Sequence, residues 1–201
     1  MIAIIDYEMG NLRSVQKALE KVGGKTVITQ NAKDLDKAEK IVLPGVGAIQ
    51  PAMEKLQSLN LISAIKDSIQ KGKPFLGICL GLQLLFEKSD EGGNVRALGI
   101  LPGEVVRFTS LKVPHMGWNQ LKIKEPQCPL FKDIENNSDV YFCHSYYVKP
   151  AQSEIALTIT DYGIEFVSSI CKDNIYGVQF HPEKSQSTGL KLLKNFVDLK
   201  S

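Results

Sequence analysis

The stretch KPFLGICLGLQLLFE, residues 73–87, decides how the chain is read. Phe75 to Ile78 form an apolar run with strand character, a helical pattern follows Cys79, and Gly77 and Gly81 flank the cysteine. A strand that turns sharply into a helix in the form G-x-nucleophile-x-G needs those glycines, because the tight corner has no room for a β-carbon on either side. Cys79 at such a corner is predicted to sit at a helix N-terminus. There the partial positive charge of unpaired N–H groups favours thiolate, and the amide of Leu80 is open to an oxyanion. The alternative reading of the pentapeptide alone is a small buried hydrophobic cysteine beside a strand end.

Upstream, short β-rich runs alternate with longer amphipathic ones: IAII (2–5), NLRSVQKALEKVG (11–23), KTVIT (25–29) and KIVLP (40–44). Leu12, Val15, Ala18, Leu19 and Val22 recur at steps of three and four, so residues 11–22 carry one apolar face, and Gly23 and Gly24 end that helix. Two further helical patterns, near 49–57 and 61–70, lead into the strand before Cys79. This βαβ rhythm predicts an α/β fold: a three-layer, mainly parallel central sheet flanked by helices. From about residue 98 the texture changes to short alternating segments with one last helical pattern, TGLKLLKNFVDLK, at 188–200. The C-terminal half is expected to be β-rich, largely antiparallel and attached to the same core, with 1–201 forming a single domain.

The charge, 24 basic against 22 acidic residues, is spread along the chain, so no basic tract marks a nucleic-acid or membrane surface. The N-terminal apolar run is cut short by Asp6, no later run approaches a membrane span, and a cytoplasmic protein acting on a small molecule or a protein partner is expected. Cys79, Cys128, Cys143 and Cys171 show neither a C-x-x-C pair nor regular spacing, which argues against a disulfide framework or a zinc site.

A thiol nucleophile needs a base, and the chain has three histidines. In YGVQFHPEKS (176–185), His181 ends a buried strand, Pro182 stops the ladder, and Glu183 stands where a carboxylate orients an imidazole. Cys79, His181 and Glu183 are thus a candidate triad; the alternative is a strand-end histidine beside a solvated acid. LPGVGA (43–48) follows a strand, and its glycines allow a backbone N–H to be aimed at a carbonyl oxygen. A plain tight turn is the other reading, and a dinucleotide fingerprint is disfavoured by the missing third glycine. His115 has no partner in the sequence and is read as structural or as part of a partner surface.

In this order and spacing, Pro44-Gly45-Val46-Gly47, Gly77-Ile78-Cys79-Leu80-Gly81-Leu82-Gln83 and His181-Pro182-Glu183 resemble the class I (triad) glutamine amidotransferases. More narrowly, DYEMGNLRSV (6–15), PHMGWN (114–119), HSYY (144–147) and HPEKS (181–185) resemble the glutaminase subunits of imidazole glycerol phosphate synthases, nearly end to end. Glu8 departs from that pattern, where glycine is more usual. The resemblance implies hydrolysis of L-glutamine through a Cys79 thioester, with His181 as proton carrier and Glu183 orienting it. It places the oxyanion hole at Val46, Gly47 and Leu80, and substrate contacts at Gly47, Gln83, Glu91, His144, Ser145 and Tyr146. For His144, a strand-end histidine filling a hydrogen bond is the competing reading. The implied partner is a (β/α)8-barrel cyclase that receives the ammonia, with Asn11, Trp118 and Lys184 at the interface, and no cofactor or metal is implied. A paralogous amidotransferase serving a sugar-modifying or other synthase, or a stand-alone cysteine hydrolase of the same fold, would share the catalytic residues.

Overall fold

The computed structural model describes every residue except 110, 126 and 201. Its first half is built from β1 (Ile2–Ile5), α1 (Leu12–Lys21), β2 (Thr26–Thr29), α2 (Ala32–Lys37), β3 (Lys40–Gly45), α3 (Ile49–Ser58), α4 (Leu61–Gln70), β4 (Phe75–Cys79) and α5 (Leu80–Gln83). The second half contains β5 (Lys88–Ser89), β6 (Val95–Arg96), β7 (Gly103–Arg107), β8 (His115–Gln120), β9 (Lys122–Ile123), β10 (Asp139–His144) and β11 (Tyr146–Pro150). It ends with β12 (Ala156–Asp161), β13 (Glu165–Lys172), β14 (Ile175–Val178) and α6 (Gln186–Asp198).

Strands β2-β1-β3-β4-β14 lie side by side and parallel, and the sheet continues antiparallel through β13, β11 and β7. Strands β1, β3 and β4 are buried along their whole length, as expected of parallel strands covered on both faces. Their alternate side chains feed two cores. Ala3, Ile5, Ile41, Leu43 and Phe75 pack with Leu56 of α3 and Ile65 of α4; Ile4, Val42, Leu76 and Ile78 pack with Leu19 of α1 and Leu193 and Phe196 of α6. The period-2 pleat therefore divides one sheet between two helical layers. Helix α1 begins where the Asn11 side chain accepts from the Ser14 amide and ends where the Gly24 N–H returns to the Leu19 carbonyl.

Three features differ from the sequence-based expectation. The helix after Cys79 is one turn, α5, followed by tightened turns in which Leu85 and Phe86 donate to carbonyls three residues back. Leu80 to Phe86 are all buried, so this segment is held by packing on every side rather than by length. Strand β14 from the β-rich half inserts beside β4 in parallel, Val178 opposite Ile78. Strands β8 and β10 leave the main sheet and pair only with each other, as an antiparallel ribbon with His115 opposite His144 and Trp118 opposite Tyr141.

Candidate active site

Cys79 ends β4 with φ 54° and ψ −108°, a conformation that costs roughly 1–3 kcal/mol and persists only where the surroundings enforce it. The enforcement is close packing. A β-carbon on Gly81 would lie 1.7 Å from the Leu43 carbonyl oxygen, and one on Gly77 would lie 2.6 Å from the Gly81 carbonyl oxygen. Both contacts are with backbone, so neither neighbour can move aside cheaply. Cys79 itself is 5% exposed at the start of α5.

His181 reaches the thiol from the loop between β14 and α6. Two hydrogen bonds fix that loop to the ribbon, from the His181 amide to the Tyr141 carbonyl (2.9 Å) and from the Tyr141 amide to the Ser185 hydroxyl (3.0 Å), and a third, from the Ser185 hydroxyl to the His181 carbonyl (2.7 Å), closes the loop on itself. Glu183, on the turn Pro182–Lys184, accepts from His181 Nδ1 through Oε1 at 2.9 Å, so the other ring nitrogen is left for Cys79. Burial alone would lower the imidazole pKa, but hydrogen bonds to Cys79 and Glu183 and their negative charges push it up to about 10. His181 therefore stands between the Cys79 sulfur and Glu183, whose second oxygen, Oε2, is buried without a protein partner.

The segment 45–47 runs alongside. Gly45 stands opposite Cys79 in the β3–β4 ladder, Gly47 has φ 100°, and Val46 is 44% exposed, unusual for a valine next to a core strand. The Tyr7 hydroxyl lies directly over Gly45, where a β-carbon would come within 1.8 Å of it; that hydroxyl is buried without a hydrogen-bond partner. Burial and the charge at Cys79 push the Tyr7 pKa up. Glu91 Oε2 accepts from the Ile49 amide at 2.9 Å, which brings its carboxylate to the start of α3, just after this segment.

On the other side, Cys79 Sγ lies 4.0 Å from the Cys143 carbonyl, and His144, Ser145 and Tyr146 follow. Gln83 is buried, and its Nε2 donates both to the Tyr146 carbonyl (2.9 Å) and to Gln179 Oε1 (3.0 Å). Gln179 in turn directs Nε2 at Cys79 Sγ, 3.6 Å away. Sequence reasoning passed over Gln179; its one signal was a polar residue inside an otherwise apolar strand run. Gln83 is thus placed as a brace between Tyr146 and Gln179. His115 is 3% exposed, which removes it from any partner surface.

Trp118 and Met116, 48% and 60% exposed, lie on the outer face of the ribbon. The Trp118 ring meets Tyr141 edge-on at 6.0 Å, and Lys184 Nζ stands 5.6 Å from the Tyr141 ring centre. A recess of about 430 Å³ beside them is lined by Trp118, Asp139 and Ser185 to Thr188. Asn11, at the start of α1, caps its own helix. Among the described residues no cluster of His, Cys, Asp and Glu is arranged to hold a metal ion, and no helix is long and apolar enough to cross a membrane.

A strained cysteine corner, an imidazolium and a backing carboxylate on a parallel α/β sheet agree with the match of residues 3–199 to the glutamine amidotransferase class-I family, and the chain belongs to that family. It is 52% identical to the imidazole glycerol phosphate synthase subunit HisH of Moorella thermoacetica, over 98% of this chain and 94% of that one. It is 56% identical to the subunit of the same name in Aquifex aeolicus, over 96% and 94% of the two chains. Among solved structures, a glutamine amidotransferase superposes with TM-score 0.77 at 14% identity, covering 98% of both chains. PurLQS from Thermotoga maritima superposes with TM-score 0.75 at 18% identity, over 98% of this chain and 96% of that one. At these identities the two structures speak to the fold alone.

Proposed function

We propose that the chain is the glutaminase subunit of an imidazole glycerol phosphate synthase in histidine biosynthesis, with Cys79, His181 and Glu183 as its catalytic triad. The Cys79 thiolate adds to the side-chain amide carbon of L-glutamine; the His181 imidazolium gives its proton to the leaving nitrogen, and ammonia departs. Neutral His181 then takes a proton from water as that water attacks the γ-glutamyl thioester, which releases glutamate and restores the thiolate and imidazolium. Glu183 keeps the imidazole in one tautomer throughout. The amide of Leu80 and one from the Val46–Gly47 segment receive the oxyanion, and Gly47, Gln83, Glu91 and residues 144–146 surround the substrate. The observation that carries the chemistry is the forced φ of Cys79 beside His181 and Glu183. Identity of about half the residues with HisH subunits carries the pathway.

Ammonia is useful to a synthase only unprotonated, so the product is handed to a (β/α)8-barrel cyclase bound over the ribbon face with Trp118 and Lys184 and near Asn11. The test is synthase activity of the complex in which Cys79 is changed to Ser. Glutamine-dependent synthesis is expected to vanish while synthesis with added ammonium salt persists. Loss of both in a folded complex would refute this division of labour, and an isolated chain that hydrolyses glutamine at the full rate without the barrel would refute the partnership.

A further inference from the structure

The ribbon joins two buried histidines that the chemistry above does not use directly. His115 Nδ1 lies 2.9 Å from His144 Nε2, His144 Nδ1 lies 2.8 Å from the Tyr146 carbonyl, and Asn119 Nδ2 lies 3.2 Å from His115 Nε2. The direction of every bond follows from its ends. A carbonyl only accepts, so His144 carries its proton on Nδ1, and a neutral ring then accepts on Nε2. His115 must donate to it from Nδ1, which makes its own Nε2 an acceptor. The Asn119 amide supplies that donor, and its orientation is fixed independently: Nδ2 donates to the Asp161 carbonyl at 2.8 Å, and Oδ1 accepts from the Gln120 amide at 2.8 Å. Asn119 therefore donates to His115, His115 to His144, and His144 to the Tyr146 carbonyl, the same carbonyl that Gln83 holds.

The chain is also packed in place. The His115 ring is stacked between Phe142 (4.8 Å) and Tyr162 (4.0 Å), and both imidazoles are less than a tenth exposed. Burial keeps both neutral, His115 with a pKa lowered to about 4 and His144 to about 3, so the pattern survives across the physiological range.

We infer that His115 and Asn119 are positioning residues for the glutamine site, holding the 144–146 segment that lies beside Cys79 through a one-directional hydrogen-bond chain. The inference rests on the glutaminase reading. A broken chain leaves His144 Nε2 buried without a donor and frees the segment to shift, which weakens substrate binding more than the chemical step.

The test measures glutamine hydrolysis by the assembled synthase for wild type, His115→Phe, His115→Asn and Asn119→Ala. Phenylalanine keeps the stacking and removes the donor, so KM for glutamine is expected to rise roughly 10-fold while kcat stays within about 3-fold. Asparagine places an N–H where Nδ1 stood and is expected to restore most of the KM. Asn119→Ala, which removes the donor to His115 together with the bonds to Asp161 and Gln120 but leaves the His115–His144 bond, should give an intermediate rise and serves as the decisive variant if His115→Phe does not fold. Nitrogen NMR of the wild-type complex should show both rings neutral with Nδ1 protonated at pH 7. An unchanged KM in the folded variants, a loss confined to kcat, or the opposite tautomer at either ring would overturn the inference. A wild-type complex without glutaminase activity would instead overturn the functional reading beneath it.

Discussion

Tyr7 and Gly45 give a sharp test of how the segment 45–47 is packed. Changing Gly45 to Ala puts a methyl group 1.8 Å from the Tyr7 hydroxyl, with Leu80 Cβ and Tyr7 Cζ each at 3.1 Å. Tyr7 is fully buried, so it cannot swing away, and overpacking of this kind costs about 1–3 kcal/mol or more. The hydroxyl itself has no partner, and burying such a group costs about 1–3 kcal/mol. Tyr7→Phe alone is therefore expected to be neutral or to stabilise by about 1 kcal/mol. In the double variant the closest approach opens to the 3.1 Å contacts, and most of the Gly45→Ala penalty should disappear, a coupling of about 1–3 kcal/mol. Urea denaturation of the four proteins, with midpoints compared at constant m, measures the cycle. Gly81→Ala is the control, because its clash is with the Leu43 backbone and no side-chain change can relieve it. Additive effects of Tyr7→Phe and Gly45→Ala, or a Tyr7→Phe variant destabilised by more than about 1 kcal/mol, would refute the reasoning.

Three further outcomes follow from charge and backbone strain. Cys79→Ser removes the sulfur partner that helps hold His181 at about 10, so nitrogen NMR should show the imidazole pKa falling; no change would mean that Glu183 alone sustains it. Because the folded value lies above the ordinary 6.5, the imidazole's contribution to stability is full below about pH 6.5 and is lost as pH rises through about 10, a decline that Cys79→Ser should flatten. Glu8 occupies φ 66°, which costs a non-glycine residue roughly 1–2 kcal/mol, and its ion pair with Lys55 is half exposed and weak. Glu8→Gly should leave stability unchanged or raise it by up to about 1 kcal/mol, whereas Glu8→Val should lower it; equal losses for both would mean that the side chain, not the backbone, matters there.

The parallel half was legible because its strands and helices announce themselves locally. IAII, IVLP and PFLGIC are continuous apolar runs, and the helices between them have one apolar face each, so layer and order follow from periodicity. Helix α2 was missed because AKDLDK buries only Leu35, too little for a pattern to form. The insertion of β14 beside β4 could not be read, since strand neighbours separated by about a hundred residues are decided by how the whole sheet closes. Cys79 and His181 were legible because proline and glycine mark sharp turns at each. Gln179, and the pairing of His115 with His144, were not: each acts through a partner that only the register supplies. The surface option for His115 failed for the same reason, because in a strand one residue's shift decides between solvent and core.

That register also bears on how such a subunit can change over evolutionary time. Along the ribbon, His115, Asn119, Phe142 and His144 turn inward while Met116, Trp118, Gln120 and Tyr141 turn outward. One short piece of chain thus writes two messages in alternate letters, and either can be rewritten without altering the other. A lineage that acquires a new protein to bind could redraw the outer letters freely and inherit the inner ones intact.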